Sequence, residues 1–305
     1  MTVPVPTPRD EPEPTSASEP GRGPSVASVV PDEPPPELRF RRALKLGTAL
    51  RALWEARHTV SSLAVRDLRS TYNQEILGVG WALLQPFTLM VVFTFLFNRV
   101  GKVNTGGVPY PLFSYIGLVP WTFYANSVQT AGLSLVNQPL LNKVYAPREV
   151  FPLSEVVVAG VGALCASLAL GVLFLFEWTA PASTSYWVLP LIVILVGFTV
   201  ACSLLAGAVT VYLRDVRHAL PLVMQLGLFL TPVVYGLREL PVAYRAPYCA
   251  INPLGAVIDG FRECVLYGRA PSFAYTAIAA VSTVAYLLGT YLIFKRLETG
   301  FADVS

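Results

Sequence analysis

Long runs without a charged side chain recur along the chain, separated by short polar connections. Residues 76–98, 156–176 and 270–294 contain no Asp, Glu, Lys or Arg. Each run is close to the roughly 20 residues that a helix needs to cross about 30 Å of hydrocarbon. These runs predict transmembrane helices, because a helix satisfies its own backbone hydrogen bonds in lipid.

The whole pattern predicts six membrane spans and an all-α membrane protein. The uncharged sequence around the second and fourth spans is too long for one crossing, so the ends of these spans are placed from clusters of Pro, Gly and polar residues. Each of these two stretches also has room for a re-entrant turn. The spans are predicted at residues 77–98, 111–135, 153–176, 187–212, 219–237 and 272–294.

The fifth loop, residues 238–271, is also unusual. It contains an apolar stretch at residues 254–266 that is too short to cross a membrane and too apolar for open solvent. We therefore predict one or two re-entrant helices that enter the outer leaflet between the fifth and sixth spans.

The distribution of Lys and Arg beside the spans predicts the orientation. With the N-terminus inside, the cytoplasmic segments hold fourteen of these residues and the outer segments hold six. Short cytoplasmic loops normally carry the excess of positive charge. We therefore expect both termini to be cytoplasmic.

The segment before the first span has two parts of different character. Residues 1–37 are acidic and hold 11 of the 26 prolines, which predicts a disordered cytoplasmic tail. Residues 38–72 are basic, and Leu46, Leu50, Leu53 and Trp54 share one helical face. That second part predicts an amphipathic helix at the membrane surface, ahead of a six-span domain at residues 73–305.

Composition narrows the possible functions. The chain is 54% hydrophobic and only 13% charged, and its mean hydropathy is +0.55. This composition excludes a soluble enzyme, and the net charge of +3 comes without a nucleic-acid-binding motif.

The sequence has no GxxxxGK[ST] phosphate loop, HExxH pair or GxSxG turn, so any ATP must be hydrolysed on another subunit. Spans three, four and six lack internal ionisable residues, which argues against a proton- or sodium-coupled carrier.

Several local sequences together resemble the permease subunit of ABC-2 type transporters that export polysaccharides such as O-antigen, teichoic acid or galactan. The resemblance covers about residues 50–305 and depends on the order and spacing of its motifs. These are Arg66-Asp-Leu-Arg69, Leu77-Gly78, Trp81, Leu84-Gln85-Pro86, residues 137–152 (NQPLLNKVYAPREVFP), Tyr212-Leu-Arg-Asp-Val216, Leu230-Thr-Pro232, Asn252-Pro253, Gly260-Phe-Arg262 and Phe301-Ala-Asp-Val304.

The resemblance implies the type V exporter fold and a homodimer bound to two ATPase subunits in the bacterial plasma membrane. ATP and Mg would be bound by the partner subunits, and this chain would need no cofactor or metal of its own. A lipid-diphosphate-linked glycan would pass through a channel at the dimer interface.

The connection between spans two and three is the candidate contact with the ATPase. Residues 137–152 are polar and carry Asn137, Lys143, Arg148 and Glu149, and the turn at Arg214 and Asp215 could supply a second contact. The alternative for residues 137–152 is an ordinary solvated loop, and the resemblance favours coupling. For Arg214 and Asp215 the alternatives are a contact with lipid headgroups or a substrate diphosphate and a general positive anchor.

Aromatic residues are dense where the second span begins. Tyr115, Trp121 and Tyr124 are candidates for a glycan path, because flat rings with polar edges suit the stacking of sugars. The alternative is an interfacial aromatic belt with core packing, which we favour for Tyr110 and Phe113.

Two charged groups have open alternatives. Arg66 and Arg69 precede the first span, where they would contact a lipid headgroup or substrate diphosphate, or would serve as a general positive anchor. Asp259, Arg262 and Glu263 would form an outer ion-pair gate or simply solvate a loop.

The fifth loop also contains Cys249 and Cys264. They would form a disulfide or remain as two free buried thiols. Other function classes stay open at this stage: an exporter of a drug or small lipid with the same architecture, a membrane-embedded enzyme of envelope synthesis, or a scaffold.

Overall fold

The computed structural model describes residue 51 and residues 53–73, 80–99, 105–136, 147–178 and 180–298. These residues form α-helices, two short 3-10 helices (Ser183–Trp187 and Leu237–Glu239) and connections, without a β-strand in the described ranges. The α-helices are α1 (Arg57–Asn73), α2 (Gly80–Arg99), α3 (Tyr110–Ser134), α4 (Val150–Phe176), α5 (Val188–Tyr212), α6 (Val216–Leu230), α7 (Val242–Ile251), α8 (Pro253–Val265) and α9 (Phe273–Glu298).

Four helical segments in the described part of the chain are long and apolar enough to cross a membrane. They are Gly80–Phe97, Val150–Phe176, Ser183–Tyr212 and Phe273–Glu298, and they coincide with predicted spans one, three, four and six. The protein is therefore an all-helical integral membrane protein, as predicted.

The predicted fifth span is shorter than the uncharged sequence suggests. Helix α6 ends at Leu230, and Thr231 adopts an extended conformation with φ −84° and ψ 141°. The residue before a proline is disfavoured in the α conformation, and Pro232 follows directly. The remainder of the predicted span consists of turns and bends at residues 231–236 and of Leu237, where the second 3-10 helix begins.

Helix α3 occupies the centre of the bundle. It packs against α2, α4, α5, α6 and α8, and its Leu112, Tyr115 and Leu118 are fully buried. Helices α3 and α5 run in the same direction, because Tyr124 stacks on Phe198 at 5.6 Å while Gly132, further along α3, faces Ala206 further along α5.

Helix α4 runs opposite to α3. Tyr115, early in α3, donates a hydrogen bond to the carbonyl of Ala166 at 3.1 Å, whereas Phe123, later in α3, faces Gly160, which comes earlier in α4. Helices α2 and α3 also run in opposite directions, because Phe97 late in α2 contacts Tyr110 at the start of α3, whereas Gln85 early in α2 accepts a hydrogen bond from Asn126 late in α3 at 3.2 Å. The long helices thus alternate in direction, as successive crossings would.

The bundle has an apolar exterior. Phe95 on α2 is 70% exposed, Leu168 on α4 is 73% exposed and Val281 on α9 is 71% exposed. Exposed apolar area of this extent is expected of a surface that contacts lipid or another subunit.

The segment before α2 is described only in part. Helix α1 packs against α4 and buries Ala64, whereas Trp54 is exposed. Leu46, Leu50 and the acidic tail at residues 1–37 lie outside the described residues, so the amphipathic surface helix stays a prediction.

The predicted loop between spans five and six contains two short helices, α7 and α8, within the range of one or two that was expected. Asn252 separates them and donates from its side-chain amide to the hydroxyls of Thr231 at 2.9 Å and Tyr248 at 3.0 Å. Cys249 and Cys264 are both buried and carry free thiols, so the disulfide alternative is not the one that the structure adopts.

One close approach in the first half of α3 can be tested directly. A Cβ added at Gly117 would lie 2.7 Å from both the Val233 carbonyl and the Arg262 guanidinium. We expect Gly117→Ala to lower the free energy of unfolding by about 1–3 kcal/mol, because a well-packed site must shift to accept the methyl group. Thermal unfolding of the purified protein in detergent measures this change.

Gly171→Ala on α4 is the matched control, since nothing lies within 4 Å of its added Cβ. The same substitution in open space should stabilise the helix by about 0.5–1 kcal/mol. Equal effects of the two variants would contradict the predicted close contact.

Candidate functional site

Arg262 is the centre of a buried cluster at one end of the bundle. Helix α8 directs its guanidinium toward α3 and the turn after α6, and the residue is only 1% exposed. Its Nε donates to the carbonyl of Phe113 at 3.2 Å, and its Nη1 donates to the carbonyls of Pro232 at 2.9 Å and Tyr235 at 2.8 Å. Nη2 donates to the carbonyl of Val233. We call these five residues the Arg262 cluster.

The cluster satisfies a buried charge with backbone dipoles. The guanidinium also lies 3.7 Å from the centre of the Phe113 ring, a cation–π distance. An arginine guanidinium keeps its charge in proteins, and here four backbone carbonyls accept hydrogen bonds from it. Asp259 lies on the same helix, one turn before Arg262.

The three residues predicted as an outer gate lie close together on α8 but have different partners. Arg262 contacts carbonyls instead of solvating a loop, whereas Glu263 forms an ion pair with Arg238 at 2.5 Å. Asp259 accepts a hydrogen bond from the backbone N–H of Leu237. Hydrogen bonds and an ion pair thus tie α8 to α3 and to the turn after α6. The movement of this segment as a gate stays a prediction.

A second charged cluster occupies the opposite end of the bundle. Glu149 immediately precedes α4 and is 2% exposed. Its carboxylate forms an ion pair with Lys295 and accepts a hydrogen bond from the Tyr291 hydroxyl at 3.3 Å. Lys295 also pairs with Glu298 at 2.7 Å. We call these four residues the Lys295 cluster.

Both charges of the principal pair suit the helix ends at which they lie. Glu149 is at the N-terminus of α4, where the helix dipole favours a negative group, and Lys295 is in the last turn of α9, where it favours a positive one. Two further hydrogen bonds hold the end of α9. Arg148 donates to the carbonyl of Glu298 at 3.3 Å and Tyr212 donates to that of Leu297 at 2.6 Å.

The predicted ATPase-contacting residues therefore separate into groups. Asn137 and Lys143 lie outside the described residues. Glu149 faces inward in the Lys295 cluster and does not offer its charge to a partner, whereas Arg148 is partly exposed beside it. Arg214 and Asp215 are exposed in the turn between α5 and α6, at the same end of the bundle.

The aromatic residues predicted for a substrate path pack within the single chain. Tyr115 is fully buried and Trp121 is 5% exposed. Trp121 contacts Tyr124, which stacks on Phe198, and Phe198 meets Tyr286 edge-on at 5.3 Å. These rings hold α3, α5 and α9 together, which is the core-packing alternative, and a substrate contact stays a prediction.

The two arginines before the first span also differ. Arg66 forms an ion pair with Asp67 at 2.7 Å, whereas Arg69 is exposed on α1. The contact of either side chain with a lipid headgroup or diphosphate stays a prediction.

The sequence analysis did not single out Lys295 and Tyr291, which complete the Lys295 cluster, or Arg238, which pairs with Glu263. One local signal was present, because Glu298 follows Lys295 by one helical turn and such pairs commonly interact. The pairing of Lys295 with Glu149 had no local signal, because the two are far apart in sequence.

The chain is similar to a transporter family and to several export proteins. A family model described as "ABC-2 type transporter" matches residues 58–266. The chain is 30% identical over 262 residues to the O-antigen export system permease protein RfbA of Myxococcus xanthus, covering 83% of this chain and 98% of that protein. It is 28% identical over 242 residues to RfbA of Klebsiella pneumoniae, with 78% and 92% covered. It is 24% identical over 242 residues to the polysialic acid transport protein KpsM of Escherichia coli, with 76% and 92% covered.

The Lys295 cluster makes a sharp stability prediction. Lys295→Met removes the cation from a carboxylate that is 2% exposed. We expect a loss of about 3–5 kcal/mol in the free energy of unfolding, because the remaining charge is buried without its partner. Glu149→Gln combined with Lys295→Met should recover much of that loss, because the uncompensated charge is gone.

Denaturant unfolding in mixed micelles measures all the variants. Glu55→Gln is the control, because it breaks the exposed Arg51–Glu55 pair on the helical segment before α1 and should cost only about 0.3–0.5 kcal/mol. A Lys295→Met variant as stable as the Glu55→Gln variant would contradict the buried ion pair.

Proposed function

Since the chain belongs to the ABC-2 type transporter family, we propose that it is the membrane-embedded permease subunit of an ATP-driven exporter whose cargo is a polysaccharide. One observation carries the proposal. Relatives named as O-antigen export permeases and as a polysialic acid transport protein match at least 76% of this chain and at least 92% of their own lengths.

The membrane arrangement of the proposal has six crossings, formed by α2, α3, α4, α5, α6 and α9. Helix α3 is long enough to cross but is not among the four segments that are also apolar enough, and its central position shields it from lipid. Helix α6 has 15 residues, which span only about 22 Å. The turn that the Arg262 cluster holds would complete this crossing, and α7 and α8 would enter the outer leaflet.

The orientation of the proposal places both termini in the cytoplasm of a bacterial cell and the chain in its plasma membrane. The excess of Lys and Arg on one side of the predicted spans supports this orientation. The Lys295 cluster is then at the cytoplasmic end of the bundle and the Arg262 cluster at the outer end.

The energy source of the proposal is a separate pair of ATPase subunits, which bind ATP and Mg. They would dock on the cytoplasmic end of the bundle, against the connection before α4 and the turn between α5 and α6. Asn137, Lys143, Arg148, Arg214 and Asp215 are the proposed contacts. Glu149 would act indirectly, because its ion pair with Lys295 fixes the start of α4 to the end of α9.

The route of the proposal is a channel between two copies of this chain. A glycan carried on a lipid diphosphate would be moved outward through it. Trp121 and Tyr124 pack inside one bundle, so their contact with sugars would require α3 to separate from α5 or α9 during transport.

A depletion experiment tests the cargo. We expect bacteria depleted of this chain to accumulate a lipid-linked glycan on the cytoplasmic side of the membrane, and the wild-type chain to restore its export. The expected result follows because synthesis of the glycan continues while its exit is blocked. Extraction and mass analysis of lipid-linked glycans measure the accumulation.

A charge-swapped variant, Arg214→Asp with Asp215→Arg, refines this test. Both residues are exposed, so we expect normal abundance but impaired export, because complementary charges on the ATPase are repelled. Glu239→Lys, at an exposed position on the opposite end of the bundle, is the control and should restore export. Depleted cells with unchanged glycans and altered drug sensitivity would point to another cargo.

Labelling of single cysteines tests the topology. In a chain with its four native cysteines replaced by alanine, we expect Thr105→Cys to react with a membrane-impermeant thiol reagent on spheroplasts. Ser18→Cys and Asp303→Cys should react only after the membrane is permeabilised, because both termini are proposed to be cytoplasmic. Labelling of either terminus in sealed spheroplasts would overturn the six-span arrangement.

A further inference from the structure

A charged pocket opens beside the Arg262 cluster at the proposed outer end of the bundle. It lies between the Leu237–Glu239 turn, α8 and the beginning of α9, and its volume is about 280 Å³. Arg238, Arg245 and Arg269 line it together with Asp259 and Glu263. We call this the outer pocket. Its size lies just below the roughly 300–1,000 Å³ of pockets that hold whole drug-sized ligands, so it suits a small headgroup.

The charges of the outer pocket do not cancel. Glu263 is paired with Arg238 at 2.5 Å, and Asp259 lies near the buried Arg262. Both carboxylates therefore already have a positive neighbour. Arg245 and Arg269 remain as the excess positive charge.

The side chains of the two remaining arginines differ in how many hydrogen bonds they make. Arg245 is held in place, because it donates to the carbonyls of Leu240 at 2.8 Å and Arg238 at 2.6 Å. Arg269 is exposed, and its guanidinium has no hydrogen-bond partner within the described part of the chain. A free guanidinium presents a planar set of donors that matches the oxygens of a phosphate.

Other groups at the pocket also favour an anion. Ser272 and Tyr275 line it with hydroxyl groups, and Ser272 directly precedes α9. The first N–H groups of a helix lack intrahelical partners, and the helix dipole makes this end positive. The pocket therefore combines a free guanidinium, hydroxyl donors and a helix N-terminus.

The position of the outer pocket along the bundle indicates where the anion comes from. The apolar segment of α9 begins at Phe273, immediately after the pocket, and Phe273 is exposed. Trp178, at the corresponding end of α4, is 95% exposed. Trp and Tyr side chains are enriched at the level of the lipid headgroups, and Trp178 and the pocket residue Tyr275 are of this kind. The pocket thus opens where lipid phosphates are concentrated.

We propose that the outer pocket binds the phosphate of an anionic lipid in the outer leaflet, with Arg269 as its principal ligand. The lipid is either a bulk phospholipid or the phosphorylated lipid carrier of the cargo. The inference rests on the membrane arrangement given under the proposed function, but binding itself requires neither ATP nor transport.

A fluorescent reporter beside the pocket tests the proposal. Phe273→Cys, in the chain without native cysteines, is labelled with an environment-sensitive dye and titrated in detergent with soluble short-chain lipids. Dihexanoylphosphatidylglycerol is compared with dihexanoylphosphatidylcholine, and farnesyl phosphate with farnesol. We expect saturable responses to the anionic member of each pair. Calorimetric titration of the chain with its native cysteines repeats the measurement without the label.

Variants of Arg269 assign the response to the pocket. Arg269→Gln should weaken binding about fivefold, because one Lys or Arg near anionic lipid contributes roughly that factor. Arg269→Lys should retain most of the affinity. Arg217→Gln removes one exposed arginine at the opposite end of the bundle and should leave the reporter's response unchanged.

The outcomes separate the two lipid sources. Responses to both anionic lipids support a general phosphate pocket, and a response to farnesyl phosphate alone supports a pocket for the lipid carrier. A chain that binds neither, or an Arg217→Gln variant that loses as much affinity as Arg269→Gln, overturns the proposal. Normal glycan export by an Arg269→Gln variant without lipid binding would leave the proposed function intact.

Discussion

The end of the bundle that holds α7 and α8 depends on the buried guanidinium of Arg262. Helix α6 stops at Leu230, its last helical hydrogen bond runs from the Thr231 N–H to the Gly227 carbonyl, and the backbone that follows does not continue the helix. Carbonyl groups without partners are costly in a medium without water. Arg262 donates to three of the carbonyls between residues 232 and 235 and to one on α3. Its guanidinium therefore supplies hydrogen-bond partners to an irregular buried turn and fixes α8 against α3.

At the opposite end of the bundle, a buried charge is again compensated, in this case by an ion pair. The Lys295 cluster joins the start of α4 to the end of α9. Helix α9 also reaches the outer segment, because the Tyr286 hydroxyl donates to the carbonyl of Ile251 at the end of α7, at 3.0 Å. Displacement of the connection before α4 would pull on Lys295, and α9 would transmit the movement toward α7. This link offers a mechanical route between the proposed ATPase face and the outer helices.

Sequence reasoning located the helices better than the contacts of their charged residues. Uncharged runs marked four of the spans correctly, because charge is excluded from lipid-facing helices for a local reason. Pro232 indicated that α6 ends early, but the apolar residues on both sides of it favoured a longer predicted span. The roles of Arg262 and Glu149 were not predictable, because their partners are about 150 residues away or are backbone atoms. A single sequence shows that a charge lies near a membrane end but not which carbonyl or cation meets it.

The polarity of α3 has a physical explanation that bears on transport. Its buried Ser and Thr hydroxyls donate to carbonyls within the same helix, for example Thr122 to Leu118 at 2.9 Å and Ser127 to Phe123 at 2.7 Å. These groups therefore need no partner on a neighbouring helix, and they keep oxygen lone pairs that can accept a hydrogen bond from a passing hydroxyl. A helix of this kind packs against apolar neighbours without leaving buried donors unpaired. It can also face a polar cargo when those neighbours move away, which suits the central helix of a polysaccharide exporter.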